Sequence, residues 1–151
     1  MLPTVNIDWA WTLSRKLPSD MDQGHVVIEE LVQALEKSNW EGRDLFHVRM
    51  AVEEGIVNAI EHGNKRDTTK FVEVEFKVSP TFCFIRITDE GAGFCRSALR
   101  DCTDDDLLEK PRGRGVHLIE NLMSEVFYSE CGNQLTMFRK RHDPKLAIAK
   151  D

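Results

Sequence analysis

A two-layer α+β sandwich, with a mainly antiparallel sheet carrying its helices on one face, is the fold class that this 151-residue sequence predicts. Segments alternating apolar and polar residues flank segments with apolar residues at helical spacing, in the order β–α–α–β–β–loop–α–β–β. Consecutive strands are joined by short turns, which antiparallel neighbours allow and parallel ones do not. No internal repeat and no linker rich in Gly, Pro or Ser divides the chain, so residues 1–151 are expected to form a single domain.

The first strand is read over Val5 to Leu17, with Ile7, Trp9, Trp11 and Leu13 on one face and Asn6, Asp8 and Thr12 on the other. The stretch "LPSDMDQGHVVIEELVQALEKSNW" follows as a helix. Ser19 or Asp20 can cap it, and Val26, Val27, Leu31 and Leu35 recur at helical spacing. A break at Trp40-Glu41-Gly42 precedes a second helix from about Arg43 to His62, which stops at Gly63-Asn64. Two strands come next. "FVEVEFKV" alternates Val72, Val74, Phe76 and Val78 with charged residues, and "TFCFIRIT" follows the Ser79-Pro80 turn.

A long loop then runs from "DEGAGF" through the acidic "DCTDDDLLEK" to "RGRG". "GVHLIENLMSEV" is predicted as a third helix. "FYSE" and "LTMFRKR" are predicted as a hairpin around Cys131-Gly132-Asn133-Gln134, and residues 142–151 as a frayed tail.

Composition narrows the function classes. With 41% hydrophobic and 30% charged residues the chain is globular in type. A net charge of −6 argues against direct nucleic-acid binding, which needs a basic footprint. No basic, then apolar, leader opens the sequence and no run is long enough to span a membrane, so a cytoplasmic protein is expected. The four cysteines, Cys83, Cys95, Cys102 and Cys131, form no CxxC pair and read as reduced thiols. His25, His47, His117 and His142 show no metal-ligand spacing.

Three stretches carry candidate chemistry. In "AVEEGIVNAIEHGN", steps of four put Glu54, Asn58 and His62 on one helical stripe, away from the apolar stripe. That stripe is either solvated surface or the edge of a site that handles metal and phosphate. Asp89 closes the strand "TFCFIRITD" on the side of Cys83, Ile85 and Ile87. A carboxylate there needs hydrogen bonds, from the backbone of its own "DEGAG" turn or from a donor-rich ligand edge. Gly91 and Gly93 permit close backbone approach. In "RGRGVHL", Gly113 and Gly115 precede a helix whose free N–H groups favour an anion, and Arg112 and Arg114 add cations. The same arginines would also offset Asp104, Asp105 and Asp106. No GxxxxGK[ST], HRD, DFG or G-x-S-x-G motif is present.

In joint order and spacing, these stretches closely resemble the N, G1 and G2 boxes of the Bergerat-fold (GHKL) ATPases. Within that superfamily "EEGIVNAIEHGNK", "ITDEGAGF" and "GRGVHLIENLMSEV" look most like the small bacterial anti-sigma-factor serine/threonine kinases. The resemblance runs from the first strand to about Arg141. It implies ATP and Mg²⁺, with Asn58 as the Mg²⁺ ligand and Glu54 as general base, while Glu53 is the rival carboxylate. It also implies that Asp89 accepts from adenine, with Thr136 supporting that end. Gly91 and Gly93 would lie close to the nucleotide, and Arg112, Gly113, Arg114, Gly115 and Val116 would face the phosphates. His62 and Gly63 match the end of the N box.

There are departures. Val57 stands where the family often carries Thr or Ser. "GNQLTMF" stands where a Gly-Thr pair is common, so Thr136 is assigned only to within one register.

The function implied is an ATP-dependent serine/threonine protein kinase that is also an anti-sigma factor. It would bind a sigma factor and phosphorylate a STAS-type anti-sigma-factor antagonist. The alternative is a non-catalytic ATP-binding regulatory module that sequesters a partner. The family commonly forms a homodimer through the sheet, and Trp9 and Trp11 are compatible either with that or with the core.

Overall fold

A computed structural model of the chain describes residues 7–91, 118–129 and 133–142. Strand β1 is Trp11–Pro18, later in its start than the expected Val5. The reason is its partner: Trp11 pairs with Val78, the last residue of β2 (Phe71–Val78), so the described residues before Trp11 lie past the end of that ladder. Ala10 reaches further, donating its N–H to the carbonyl of Val78 at 2.9 Å.

Helix α1, Met21–Lys37, is capped by Asp20, whose carboxylate accepts from the N–H of Asp22 at 2.9 Å. It buries Val27, Ile28, Leu31 and Leu35, whereas Val26, expected on the same stripe, is 52% exposed. Trp40 in the following turn is buried, and its Nε1–H donates to the Ser79 carbonyl at 2.8 Å. That bond ties the helix–helix corner to the β2–β3 turn. Helix α2, Gly42–Val57, opens on Gly42 at φ +59°, a left-handed conformation that suits glycine.

The expected α-helix to His62 changes character at Asn58. Asn58–Gly63 is a π-helical turn, closed by Asn64 N–H to the Ala59 carbonyl at 2.8 Å.

Strand β3 is Phe82–Thr88, β4 is Glu125–Tyr128 and β5 is Gln134–Lys140. All pairings are antiparallel, and the five-stranded sheet of the described residues runs β1-β2-β3-β5-β4. The third helix was expected to reach Val126, but its described helical residues are 118–122. Glu125 and Val126 instead pair with Phe138 and Met137. This turns Val126 and Tyr128 toward the core, where both pack partly buried.

The sheet has two unlike faces. Its helix side carries Leu17, Val72, Val74, Phe76, Val78, Cys83, Ile85, Ile87, Leu135 and Met137, all buried with the apolar stripes of α1 and α2. Trp11 falls on this side and packs against the core, which removes it from the open face. Opposite stand Phe82, Phe84, Arg86, Thr136, Phe138 and Phe127, in register across β3, β5 and β4. The helices therefore gather on one face, as the sequence predicts. Among the described residues, no helix is long and apolar enough to cross a membrane.

Candidate functional site

The site forms where the end of α2 leans on the ends of β3 and β5. Glycine makes the approach possible: a Cβ on Gly55 would stand 2.8 Å from Ile87 Cδ1 and 3.1 Å from Leu135 Cδ2. One turn on, Asn58 is buried and lines a small pocket with Gly55, Ala59, Ile87, Asp89, Tyr128, Asn133 and Leu135. The pocket lining combines apolar residues from the sheet, Ile87 and Leu135, with the polar Asn58, Asp89 and Asn133.

Asp89, 5% exposed, is held from several directions. Its N–H donates to the Asn133 carbonyl at 2.9 Å, continuing the β3–β5 ladder by one residue. Its Oδ1 accepts from the N–H of Gly91 at 2.9 Å. It therefore bonds the backbone of its own turn, and it also lines the pocket. Two glycines close the turn onto the helix end. A Cβ on Gly63 would lie 2.4 Å from Asp89 Oδ2, and one on Gly91 would lie 2.0 Å from the Gly63 carbonyl oxygen. Neither position tolerates a side chain without movement.

Glu54 lies one helical turn before Asn58 and is half-buried, with no ion-pair partner among the described residues. Glu53, the rival carboxylate, accepts from Arg49 Nε at 3.0 Å, and Arg49 Nη2 reaches Glu29 at 2.7 Å. It is thereby occupied in a charge ladder between α1 and α2. His62 is half-buried in the π-helical turn. Among the described residues, His62 is not part of the lining of that pocket.

Thr136 is not brought to this pocket. It stands opposite Arg86, whose Nε–H donates to Thr136 Oγ1 at 3.2 Å, on the sheet face turned away from the helices. Its neighbour Leu135, opposite Ile87, takes the pocket-facing position. The one-residue register left open by the sequence is settled by the β3–β5 pairing. Gly93, Arg112, Gly113, Arg114, Gly115 and Val116 lie outside the described residues, as do Cys95, Cys102 and Cys131. Cys83 is buried, and burial pushes its thiol well up, which leaves it inert.

Asn64, Tyr128, Asn133 and Leu135 carry no site signal in the sequence, where Asn64 reads as part of a helix stop and Asn133 as a hairpin residue. Each acts through partners distant in sequence, which no local pattern displays.

The donor set can be tested for Mg²⁺. No cluster of three or more His, Cys, Asp or Glu able to hold a metal occurs among the described residues. The pocket lining does include the buried Asn58, whose side-chain amide carries an oxygen of the kind a hard cation takes. That suits Mg²⁺ arriving with nucleotide phosphates, since this ion keeps waters and phosphate oxygens and needs few protein ligands.

Comparison with known proteins shows the family and the fold. The family model for the histidine kinase-like ATPase domain matches residues 17–139. An anti-sigma F factor of Geobacillus kaustophilus (strain HTA426) is 27% identical over 107 residues, covering 68% of this chain and 72% of that protein. A serine-protein kinase RsbW of Staphylococcus epidermidis is 25% identical over 135 residues, covering 84% and 85% respectively. Among solved structures, the RsbU and RsbW domains of Rv1364c from Mycobacterium tuberculosis share the fold at a TM-score of 0.60 and 17% identity. The match covers 88% of this chain and 32% of that longer one.

Proposed function

The chain belongs to the histidine kinase-like ATPase domain family, and from that premise we propose that it is an ATP-dependent serine/threonine protein kinase and anti-sigma factor. The observation that carries the reading is the shared pocket of Asp89 and Asn58, with Glu54 one turn along the same helix. The names of the relatives, an anti-sigma F factor and a serine-protein kinase, support the choice within the family.

In this reading Asp89 accepts from the exocyclic amine of adenine, while Ile87 and Leu135 supply the apolar wall. Asn58 would hold Mg²⁺ through its amide oxygen, and the bound ion would offset charge on the phosphates. Glu54 accepts the proton of a substrate seryl or threonyl hydroxyl. That oxygen bonds to the γ-phosphorus as the bond to the β–γ bridging oxygen breaks, releasing ADP. Arg112, Gly113, Arg114, Gly115 and Val116 are assigned to the phosphates by motif alone, with Gly93 beside the nucleotide. Gly63 and Gly91 serve by being small, and His62 is kept at the rim.

The partners proposed are a sigma factor and a STAS-type antagonist bearing the acceptor hydroxyl, in the cytoplasm and without direct nucleic-acid contact. A homodimer through the open sheet face is part of the same reading. Phe127, 42% exposed, and the Phe82–Phe138 pair, with ring centroids 5.0 Å apart, supply apolar area there.

The test is to mix the protein with radiolabelled ATP, Mg²⁺ and a STAS-type partner. Acid-stable phosphate on the partner is the expected result. ATP binding without transfer to any antagonist would favour the sequestering module instead.

A further inference from the structure

Asn64 is 1% exposed, yet its side chain is fully engaged with three distant segments. Its Nδ2 donates to Ser19 Oγ at 2.8 Å and to the Phe71 carbonyl at 3.0 Å. Its Oδ1 accepts from the N–H of Glu90 at 2.8 Å. Ser19 in turn donates to the Lys70 carbonyl at 2.8 Å. One amide therefore joins the β1–α1 corner, the start of β2 and the turn after β3 to the end of the π-helical turn.

The bond to Glu90 N–H matters most for the site. That N–H belongs to the peptide linking Asp89 to Glu90, so Asn64 fixes the plane on the C-terminal side of Asp89. On the N-terminal side, Asp89 N–H is fixed by the Asn133 carbonyl at 2.9 Å. Asp89 is thus held at both of its peptide planes. Asn64 is moreover the residue after Gly63, whose missing side chain makes room for the Asp89 carboxylate.

We infer that Asn64 is a positioning residue for the nucleotide pocket: its Oδ1 ties the Asp89–Glu90 peptide to the helix end bearing Asn58, and so sets where the Asp89 carboxylate meets the base. It acts through Asp89 and does not touch the nucleotide. The inference deepens the kinase reading and rests on it.

Base discrimination separates positioning from mere folding. Inosine nucleotides carry a carbonyl where adenine carries its exocyclic amine, so they lose the donor at that position and keep only the ring N1–H on that edge. The experiment measures ADP and IDP affinities by calorimetry for the wild type, Asn64→Ala, Asn64→Asp and Ser19→Ala. The wild type should prefer ADP. Asn64→Ala should reduce the ADP/IDP ratio by about tenfold, the scale of one charge-assisted hydrogen bond. Ser19→Ala should lose thermal stability yet keep the ratio, because it leaves the Glu90 bond intact. Asn64→Asp keeps the acceptor and should retain the ratio despite lower stability.

A wild-type ratio in folded Asn64→Ala, or a collapsed ratio in Asn64→Asp, would overturn the positioning role and leave the kinase reading standing. Should the alanine variant not fold, the aspartate variant decides alone. A wild type that binds neither nucleotide would overturn the kinase reading, and this inference with it.

Discussion

Gly63 presses its backbone on the carboxylate of Asp89 so closely that a Cβ would lie 2.4 Å from both Cγ and Oδ2. Its φ is not in the left-handed region, so space, not backbone conformation, requires glycine. Gly63→Ala should displace Asp89 and weaken ADP binding by at least about tenfold, with an overpacking cost of about 1–3 kcal/mol. Calorimetric titration and urea unfolding check the two parts. Native affinity in the variant would mean that the carboxylate does not read the base.

Glu54 and Glu53 are neighbours with different surroundings. Arg49 engages Glu53, while Glu54 has no ion-pair partner among the described residues. Glu54→Ala should keep ATP affinity and lose phosphoryl transfer by about 10²-fold or more, the usual scale of a general base. Glu53→Ala should transfer at near the wild-type rate. Equal loss in both variants would point to disturbance of the helix instead of chemistry at Glu54.

Asn58 is a buried amide of the pocket, and its contribution should appear only with the metal. Asn58→Ala should weaken ATP binding in Mg²⁺ but match the wild type in excess chelator. An affinity deficit that persists under chelation would remove Asn58 as a ligand.

Asp44 and Arg139 form an ion pair at 2.6 Å with side chains only 13% and 15% exposed. Arg139 also donates to the Leu122 carbonyl, and the His142 N–H donates to Asp44 at 3.0 Å. Arg139→Met strands Asp44 and that carbonyl, and should cost about 2–4 kcal/mol in denaturant unfolding. A loss below about 0.5 kcal/mol would place the pair among those worth little.

His47 makes stability depend on pH. Burial pushes its imidazole below the ordinary value of 6.5, and the cations of Arg139 and Arg43 act in the same direction against Asp44. Its buried Nδ1 has no hydrogen-bond partner among the described residues. The unfolded chain then takes up the proton first. The contribution is complete above pH 6.5 and is lost as pH falls below it toward the folded value. Unfolding midpoints between pH 8 and 5.5 should fall more steeply for the wild type than for His47→Gln. Parallel slopes would assign the pH dependence to other groups.

Much of this molecule was legible in local patterns. Period-two alternation placed Val72, Val74, Phe76 and Val78 on the buried face of one strand, and the run ending at Asp89 put that carboxylate on the helix side. The box spacing drew Asn58, Asp89 and Gly63 toward one site. The strand and helix-face inferences succeed because a strand's alternation or a helix's stripe reports which side faces apolar matter, whereas the grouping of Asn58, Asp89 and Gly63 came from the family resemblance.

Only the tertiary structure decided the rest. The expected α-helix through His62 became a π turn at Asn58, because an i,i+4 pattern does not distinguish the two backbones until the helix end seats Gly63 on Asp89. Thr136 and Leu135 exchanged places at the site, because the face of a β5 residue follows from its pairing with β3, and one step of register reverses it. Asn64 took its partners from Ser19, Phe71 and Glu90. A side-chain amide can bond anything within about 3 Å, whatever the distance along the chain. Composition and periodicity select elements and faces, whereas which distant atoms meet is settled when those faces dock.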